Sequence, residues 1–469
     1  MPRRALFTTQ ERDNLIKVPE QADEIIRYYT LSSIEKDWIA TRDGDFNRLG
    51  FALQLCCMKY PGVALIAGVR PSDALIAFVS EQLAIPARHY DEHAARPATR
   101  SAHFAELKRL LGVRSFSSAD VPAAVDALDD VALRTDKGIT LAAELIEWLR
   151  EKNILLPSVG MLERVCAEAT TRAETRIFEQ LTSPLTDKDK ESLDSLLVID
   201  QHRRVSGITW LQQSPGKPTA ARILDHLERL KFINELKLPL SVRRQVHENR
   251  LLKLSRIGCQ MTVQHLRDLK PLARYGTLVA VIIETRATLI DEIVDLNDRI
   301  IGSVFNNARH RHDEEFLAAR KSIGLKLQMF ARIGRVLVDA KKKRKNPMEE
   351  IGKIVSWEEL EGLVMDAEQS VRDDRSDFLP RTIEGFWKIH RYVGELLRVL
   401  ELRAAPAAKD LFAGIEAVRR LHSGKPVSPN SLPIAFVKPK WRPLVIQPDE
   451  VDARYYELCA MSELKNSLR

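Results

Sequence analysis

Cysteine is scarce in this chain of 469 residues: there are five, and no two are spaced as a CxxC pair. This argues against a disulfide-stapled secreted protein, and we expect reduced, mostly buried thiols. Long apolar runs are also missing, since Glu284 and Arg286 end the best membrane candidate, 278–283. The first residues lack the apolar region of a signal peptide. We therefore expect a soluble, cytoplasmic protein with no membrane partner.

Short motifs of common enzyme classes are absent as well. The sequence has no GxxxxGKS or GxxxxGKT phosphate loop, no HExxH and no GxSxG. The densest group of metal-ligand residue types is 310–315, but histidines at i and i+2 do not share a helix face. The carboxylates at 373–377 are best explained as a polar surface loop. We predict no catalytic residue, no metal ligand and no cofactor.

Helical periodicity dominates what is present. Apolar residues recur at spacings of three and four over 141–149, 161–181, 219–233, 263–269, 278–301 and 314–338. Thr219 is placed to cap the third of these segments. Alternating strand patterns are scarce. The sequence predicts an all-α protein of several helical modules, with one short hairpin near 436–446.

The segment 42–62 predicts a turn followed by a core helix. Asp43-Gly44 favours a turn, and Asp45 can cap the helix that follows. Two apolar stripes run along this helix: Phe46, Leu49, Leu53, Cys56 and Tyr60 in one, and Phe51, Leu55 and Met58 in the other. A helix with two such stripes is expected to be largely buried.

A shorter helix precedes this turn, because Ser32 and Glu35 fit a capping box. Helix, tight turn and helix form the outline of a helix-turn-helix, in which the start of the second helix meets base edges. We therefore take Arg42, Asn47, Arg48 and Gln54 as candidate DNA contacts, since Arg can bind guanine and Asn adenine. The alternative is local: Arg48 pairs with a neighbouring aspartate, and Asn47 caps backbone.

Positive charge exceeds negative charge only slightly, with 72 basic and 65 acidic residues giving +7. A polyanionic partner therefore requires local basic clusters. Candidates are Arg100 at a helix start, the pairs Arg203-Arg204 and Arg243-Arg244, and one helix face with Arg243, His247, Arg250 and, at its edge, Lys253. The run 341–345 is the densest. The alternative for each cluster is a solvated helix face.

Both ends of the chain resemble a known family. The segment 42–62, with YYTLS at 28–32 and TRSAHFAEL at 99–107, is similar to the N-terminal region of replicative transposases of the Tn-three family. The segments FVKPKWR at 436–442 and RYYELCAMSEL at 454–464 are similar to the approach to the family's catalytic part. The resemblance covers the chain from end to end.

This resemblance implies a protein that binds double-stranded DNA at the terminal inverted repeats of a mobile element. In the family, an RNase H-like half carries an Asp-Asp-Glu set that holds divalent metal. We expect this chain to stop before that half, so no strand cleavage is expected from it alone. Two alternatives remain: a helical interaction or scaffold protein, or a truncated product that inhibits full-length transposase, which would then be a partner, as would a second copy of the chain.

Loops and prolines suggest four segments. They are a DNA-binding domain at 1–156, a second at 157–275, a long-helix arm at 276–422, and a Pro-rich linker with a helix at 423–469. Asp449 is placed to cap that last helix. Because an amphipathic helix needs a packing partner, we expect it to fold back or to be loosely held.

Overall fold

The computed structural model describes residues 6–19, 21–65, 71–94, 96–214, 216–344, 346–372, 378–425, 432–447 and 451–468. About three-quarters of the chain is helical, which confirms the all-α prediction. Two compact units are present: unit 1 comprises 1–207 and 238–284, and unit 2 comprises 208–237 and 285–469. The four-segment division is finer and stays a prediction. Its second segment, 157–275, contains residues of both units.

The first part of the chain forms short and medium helices. They are α1 (Thr9–Leu15), α2 (Ala22–Tyr29), α3 (Ser33–Ala40), α4 (Asp45–Lys59), α5 (Asp73–Leu83), α6 (His89–Ala94), α7 (Pro97–Leu111), α8 (Val121–Ala127), α9 (Asp129–Arg134), α10 (Gly138–Glu151), α11 (Val159–Thr182) and α12 (Asp187–Ser195). Two strands, β1 (Arg114–Ser115) and β2 (Ile154–Leu155), pair in parallel, with Arg114 opposite Ile154. A 3-10 turn lies at Ser118–Asp120.

The remaining helices include one of unusual length. They are α13 (Gly207–Leu211), α14 (Ala220–Glu235), α15 (Glu248–Gln260), α16 (Val263–Asp268), α17 (Pro271–Lys343), α18 (Pro347–Gly352), α19 (Trp357–Arg372), α20 (Phe386–Val399), α21 (Lys409–His422), α22 (Arg442–Val445) and α23 (Ala453–Ser467). Further 3-10 segments are Leu240–Gln245, Leu379–Gly385, Pro406–Ala408 and Pro439–Trp441. No helix within the described ranges is long and apolar enough to cross a membrane.

Helix starts test the capping predictions directly. Ser32 and Glu35 form the predicted capping box of α3, and the Thr219 side chain accepts a hydrogen bond from Arg222 N. The prediction for Asp45 was wrong. Gly44 is the N-cap of α4, at φ +78°, and Asp45 is already the first helical residue. There its charge lies in the first turn, where the helix dipole favours an acid.

Helix α4 is the centre of a core in unit 1, as its two apolar stripes predicted. Ten successive residues from Leu49 to Met58 are buried, and they pack with α2, α5, α6 and α7. A second core in unit 1 forms around α10 and α11, which also contact α8 and α9. The start of α4 is therefore held by helices on several sides.

In unit 2, the helices α14, α20, α21 and α23 share one core. The last helix buries Tyr456, Leu458 and Met461, so it packs back onto its own unit. Its N-cap is Asp452, whose side chain accepts from Arg454 N and Tyr455 N. The predicted cap, Asp449, lies outside the described residues.

One sequence prediction of an element was confirmed and one was wrong. The periodic segments 278–301 and 314–338 are both helical, as predicted, and belong to one continuous helix, α17. The hairpin near 436–446 is absent from this described stretch, which forms the 3-10 turn Pro439–Trp441 followed by α22. Prolines 439 and 443 have no N–H to donate to a strand partner. Within the Pro-rich segment, 426–431 and 448–450 lie outside the described residues, as do 373–377 and Lys345.

Candidate nucleic-acid interface

The turn between α3 and α4 holds Arg42 tightly. Its guanidinium donates to both carboxylate oxygens of Glu106 on α7, at 2.6 and 2.9 Å. It also lies over the ring of Phe51, 4.9 Å from the centroid. The Arg42 side chain is about one-fifth exposed. This predicted DNA contact is thus engaged within the protein, with only part of its surface free for a ligand.

Asn47 and Arg48 lie in the first turn of α4, at the place predicted for base contacts. Asn47 Nδ2 donates to Asp43 O at 2.8 Å, and Arg48 Nε donates to Arg42 O at 2.9 Å. Arg48 also lies 3.8 Å from the Asp45 carboxylate, with 42% of its side chain exposed. Both residues therefore make the local contacts that the alternative predicted. The pair of Arg48 with Asp45 is long and exposed, and therefore weak, so the Arg48 guanidinium can still bind a ligand.

Gln54 lies deeper in the same helix and is only 3% exposed. Its Oε1 is buried without a hydrogen-bond partner among the described residues. A side chain enclosed in this way is out of reach of a duplex in this conformation. Its place on the third turn of α4, between the two apolar stripes, explains the burial.

The N-terminus of α7 meets the N-terminus of α4. Arg96, the N-cap residue of α7, is exposed and lies 4.2 Å from the centroid of the Phe46 ring. Arg100 follows one turn later and is half-buried. Arg48, Arg96 and Arg100 are called the α4–α7 cluster below. Arg96 was missed by sequence reasoning, since it stands alone ahead of Pro97.

Arg203 and Arg204 are exposed on a tight loop after α12. Asp200 organises this loop: its Oδ1 accepts from the backbone N–H groups of His202 and Arg203, both at 2.8 Å. These bonds hold the pKa of Asp200 below its usual value. Ile199 and Ser206 close the loop as an antiparallel bridge. The loop thus presents two adjacent arginines outward on a fixed backbone.

The basic group near 243–253 is arranged differently from the prediction of one helix face. Arg243 and Arg244 lie on the 3-10 segment Leu240–Gln245, and His247 is the N-cap of α15. Arg243 is 3.6 Å from Glu248. Arg244 is exposed and has no polar partner within the described part of the chain. The prediction of one helix face was wrong because the 3-10 segment ends before α15 begins, so these residues do not lie on one helix.

Arg250 lies inside unit 1, with 2% of its side chain exposed. It is 3.6 Å from Asp136 and 3.6 Å from Glu174. Burial lowers the pKa of Arg250 and raises that of Glu174. Lys253 pairs with the same Asp136. Arg250 is therefore a structural ion-pair residue in this conformation, and Lys253, although half exposed, is engaged with Asp136.

Together these positions leave a smaller set of accessible basic groups than the sequence suggested. Of the basic groups described above, three keep an exposed arginine: the α4–α7 cluster, the 203–204 loop and the pair Arg243-Arg244. Guanidinium groups at such sites suit phosphate oxygens or a guanine edge. None of these groups resembles a metal site. In the described ranges, the group of side chains able to hold a metal is His390, His422 and Glu457 in unit 2.

Comparison with known proteins gives this arrangement a context. Residues 6–169, which include the α4–α7 cluster, match the family "Domain of unknown function (DUF4158)". The whole chain is 42% identical to the transposase for transposon Tn3926 of Escherichia coli and 41% identical to that for Tn501 of Pseudomonas aeruginosa. The alignments cover 100% of this chain and 48% of each relative.

The resemblance to Tn-three family transposases is confirmed. A more distant relative, the transposase for transposon Tn2501 of Escherichia coli, is 33% identical over the full chain and 47% of its own length. The chain therefore spans about half the length of the curated relatives it matches. A transposase-related function is supported at this level.

Proposed function

We propose that this chain binds double-stranded DNA and recognises the terminal inverted repeats of a mobile element. The observation that carries the proposal is similarity to transposases along the whole chain, at 41–42% identity for two of them. The exposed arginines of unit 1 give it a physical basis. They are held on helix ends and short turns, where a guanidinium can be presented at a defined position.

Phosphate binding is assigned to five arginines that keep an exposed surface: Arg96, Arg100, Arg204, Arg243 and Arg244. If all five neutralise phosphates, the logarithm of the binding constant should fall with the logarithm of salt concentration at a slope of about −4.5. Base recognition is assigned to the first turn of α4, because a helix N-terminus enters the major groove in helix-turn-helix proteins.

Fluorescence anisotropy with labelled duplexes tests this proposal. One duplex carries the terminal inverted repeat of the element that encodes the chain, and the other has the same composition in shuffled order. We expect tighter binding to the repeat and a steep salt dependence for both. Equal affinity for the two duplexes would disprove recognition of element ends. No binding to either duplex at low salt would disprove the proposal that the chain binds DNA.

We also propose that these 469 residues bind element ends without cutting them. The relatives are about twice as long as the region matched here, and we expect the family's catalytic Asp-Asp-Glu set to lie in their other half. Incubation of the chain with end DNA and Mg²⁺ or Mn²⁺ should therefore leave both strands intact. Specific nicking at the element boundary would disprove this part while leaving the binding proposal in place.

A second candidate function is protein association through the distal part of α17 and α19. A small core of Ile333, Ile351 and Val355 holds these helices together within unit 2, and Lys326 donates to Asp366 at 3.0 Å. Large apolar side chains remain exposed there, among them Phe316 at 59%, Leu325 at 69% and Met365 at 64%. Apolar surface of this kind favours contact with another protein, such as a second copy or a full-length transposase.

Light scattering on the purified chain distinguishes this candidate from a purely DNA-binding role. Association through the arm should weaken in a Phe316→Asp, Leu325→Asp variant, whereas a change of Val198 to Asp, an exposed apolar residue of unit 1, should have no effect. If the chain associates through the arm, overexpression should also lower transposition by the full-length protein. A monomer at high concentration, or an unchanged transposition frequency, would contradict the candidate.

A further inference from the structure

Three helices of unit 2 bring two histidines and a glutamate to one point. His390 lies on α20, His422 is the last residue of α21, and Glu457 is in the first half of α23. Glu457 Oε2 lies 2.9 Å from His390 Nδ1 and 3.1 Å from His422 Nε2. One ligand atom from each residue falls within 4.8 Å of the others. The rings of the two histidines stack, with centroids 4.6 Å apart.

The carboxylate of Glu457 is enclosed, and no Lys or Arg pairs with it within the described ranges. The residue is 4% exposed, and the two histidines are its ion-pair partners among the described residues. Its second oxygen, Oε1, is buried with no hydrogen-bond partner in the same part of the chain. A buried carboxylate requires hydrogen bonds or a compensating positive charge, and a bound cation would supply that charge here.

Donor types and spacing at this point suit a transition metal. In a tetrahedral zinc site, nitrogen and oxygen ligands lie about 2.0–2.2 Å from the metal, and so about 3.3–3.6 Å from one another. The two distances from Glu457 Oε2, 2.9 and 3.1 Å, are slightly shorter than this, so the side chains would move apart by a few tenths of an ångström to admit the ion. Imidazole nitrogens suit zinc and its neighbours, whereas Mg²⁺ prefers oxygen ligands.

The surrounding residues hold the histidines in place. A Cβ at Gly394 would lie 2.8 Å from His422 Nδ1, so only glycine leaves room for this ring. Because Nδ1 faces the α20 backbone, Nε2 is the atom turned toward Glu457. The rings of Phe386 and Trp387 lie 4.8 and 5.3 Å from that of His390. The His390 ring is thus packed against the aromatic side chains of its own helix, of which Phe386 is buried and Trp387 is exposed.

We propose that His390, His422 and Glu457 form a binding site for a divalent transition metal ion, of which Zn²⁺ is the best match. Three protein ligands leave one tetrahedral position for water. The metal would join α20, α21 and α23 by one bond to each helix and would neutralise Glu457. Its effect is to fix the C-terminal helix on unit 2. The site is independent of the proposed DNA binding.

Metal titration of the full chain tests the site. The chain is first stripped with a chelator, and Zn²⁺ binding is then measured by competition with a chromophoric chelator. We expect one Zn²⁺ per chain and a higher midpoint of thermal unfolding with Zn²⁺ but not with Mg²⁺, because a ligand that binds only the native state stabilises it. Absence of a stoichiometric Zn²⁺ ion would overturn the proposal.

Conservative variants locate the ion. His390→Gln, His422→Gln and Glu457→Gln should each weaken Zn²⁺ binding by at least about tenfold, since even groups outside the ligand sphere typically change affinity by that much. The matched control is His310→Gln with His312→Gln, which removes two histidines from α17 and should bind as the unaltered chain does. Retention of affinity in all three ligand variants would place the ion elsewhere and reject the site.

Chemical protection covers the case in which a ligand variant fails to fold. Diethyl pyrocarbonate acylates accessible imidazoles, and the modified peptides of the unaltered chain can be identified by mass spectrometry. With Zn²⁺ bound, acylation of His390 and His422 should fall, while that of His310 should stay the same. Equal acylation of His390 and His422 with and without Zn²⁺ would contradict the proposal without use of any variant.

Discussion

Arg42 and Glu106 form a two-point ion pair that joins the turn before α4 to the middle of α7. The same arginine lies over the Phe51 ring and accepts, through its backbone carbonyl, the Nε–H of Arg48. One residue thus connects the turn, the core of unit 1 and the residue proposed to contact DNA. A stability role and a DNA role for Arg42 must therefore be measured separately.

Replacement of Arg42 by Ala should lower the free energy of unfolding of unit 1. The loss should be about 1–3 kcal/mol, because a charge-assisted, two-point contact is lost and Glu106 is left without its partner. Urea titration followed by circular dichroism measures it. Arg109→Ala is the control, since Arg109 is exposed on α7 and should change stability by less than about 0.5 kcal/mol. Equal effects of the two changes would contradict the structural role.

Replacement of Arg48 by Ala should separate DNA recognition from folding. Arg48 is 42% exposed and its pair with Asp45 is long, so stability should change by no more than about 1 kcal/mol. Binding to the terminal repeat should weaken by about 1–3 kcal/mol if the guanidinium contacts a base. Asp45→Asn frees Arg48 and should not weaken binding. If Arg48→Ala instead unfolds the chain, the turn belongs to the core alone.

Arg244 and Arg250 are expected to give opposite results. Arg244→Ala removes an exposed arginine, so the fold should persist and the salt slope of DNA binding should become shallower by about 1. Arg250→Ala leaves Glu174 without its partner and opens a buried space, so stability should fall by about 3–5 kcal/mol. Thermal unfolding and salt titrations of both variants test the contrast. A normal fold with a reduced salt slope in Arg250→Ala would show that Arg250 reaches DNA after all.

Acid should destabilise unit 1 through His93. The residue is 2% exposed, and its Nε2 lies 3.2 Å from His103 Nδ1. Burial, with smaller effects of the His103 and Arg100 charges, lowers the pKa of His93 from 6.5 to about 4. Between these pH values the unfolded chain binds the proton and the native chain does not. The stability that His93 confers is therefore complete above pH 6.5 and is lost as the pH falls toward 4.

A shift of this size corresponds to about 3 kcal/mol between the two ends of that pH window. Urea midpoints measured from pH 7.5 to 4.5 should fall more steeply for the unaltered chain than for His93→Gln, which cannot be protonated in this range. His202→Gln is the control, because His202 is exposed in a loop and should leave the slope unchanged. Parallel slopes for all three proteins would contradict the prediction.

Local sequence patterns were sufficient to predict the structural elements that depend on interactions between neighbouring residues. Spacing of apolar residues at three and four predicted the all-α fold and the burial of α4, because side chains at this spacing share a helix face. The Ser32–Glu35 box and the Thr219 cap were also identified, since each depends on a side chain and a backbone N–H group three residues away. The family resemblance was confirmed by comparison over the full chain.

Local patterns failed where two distant segments meet. In the sequence, the basic residues around Arg250 have the spacing of an exposed helix face. Arg250 is buried because Asp136 and Glu174, which are distant in sequence, pack against it. Local spacing likewise identified two helical segments, 278–301 and 314–338, without showing that one helix, α17, spans both.

Helix periodicity and the relationship to transposases were thus already present in the order of residues, because both are properties of neighbouring positions along the chain. Tertiary structure decided which arginines stay accessible and which ligands converge. His390, His422 and Glu457 lie far apart in sequence and share no motif, and they meet only because α20, α21 and α23 pack around one core. Burial and convergence depend on which helix faces meet, and no spacing within a single helix specifies that.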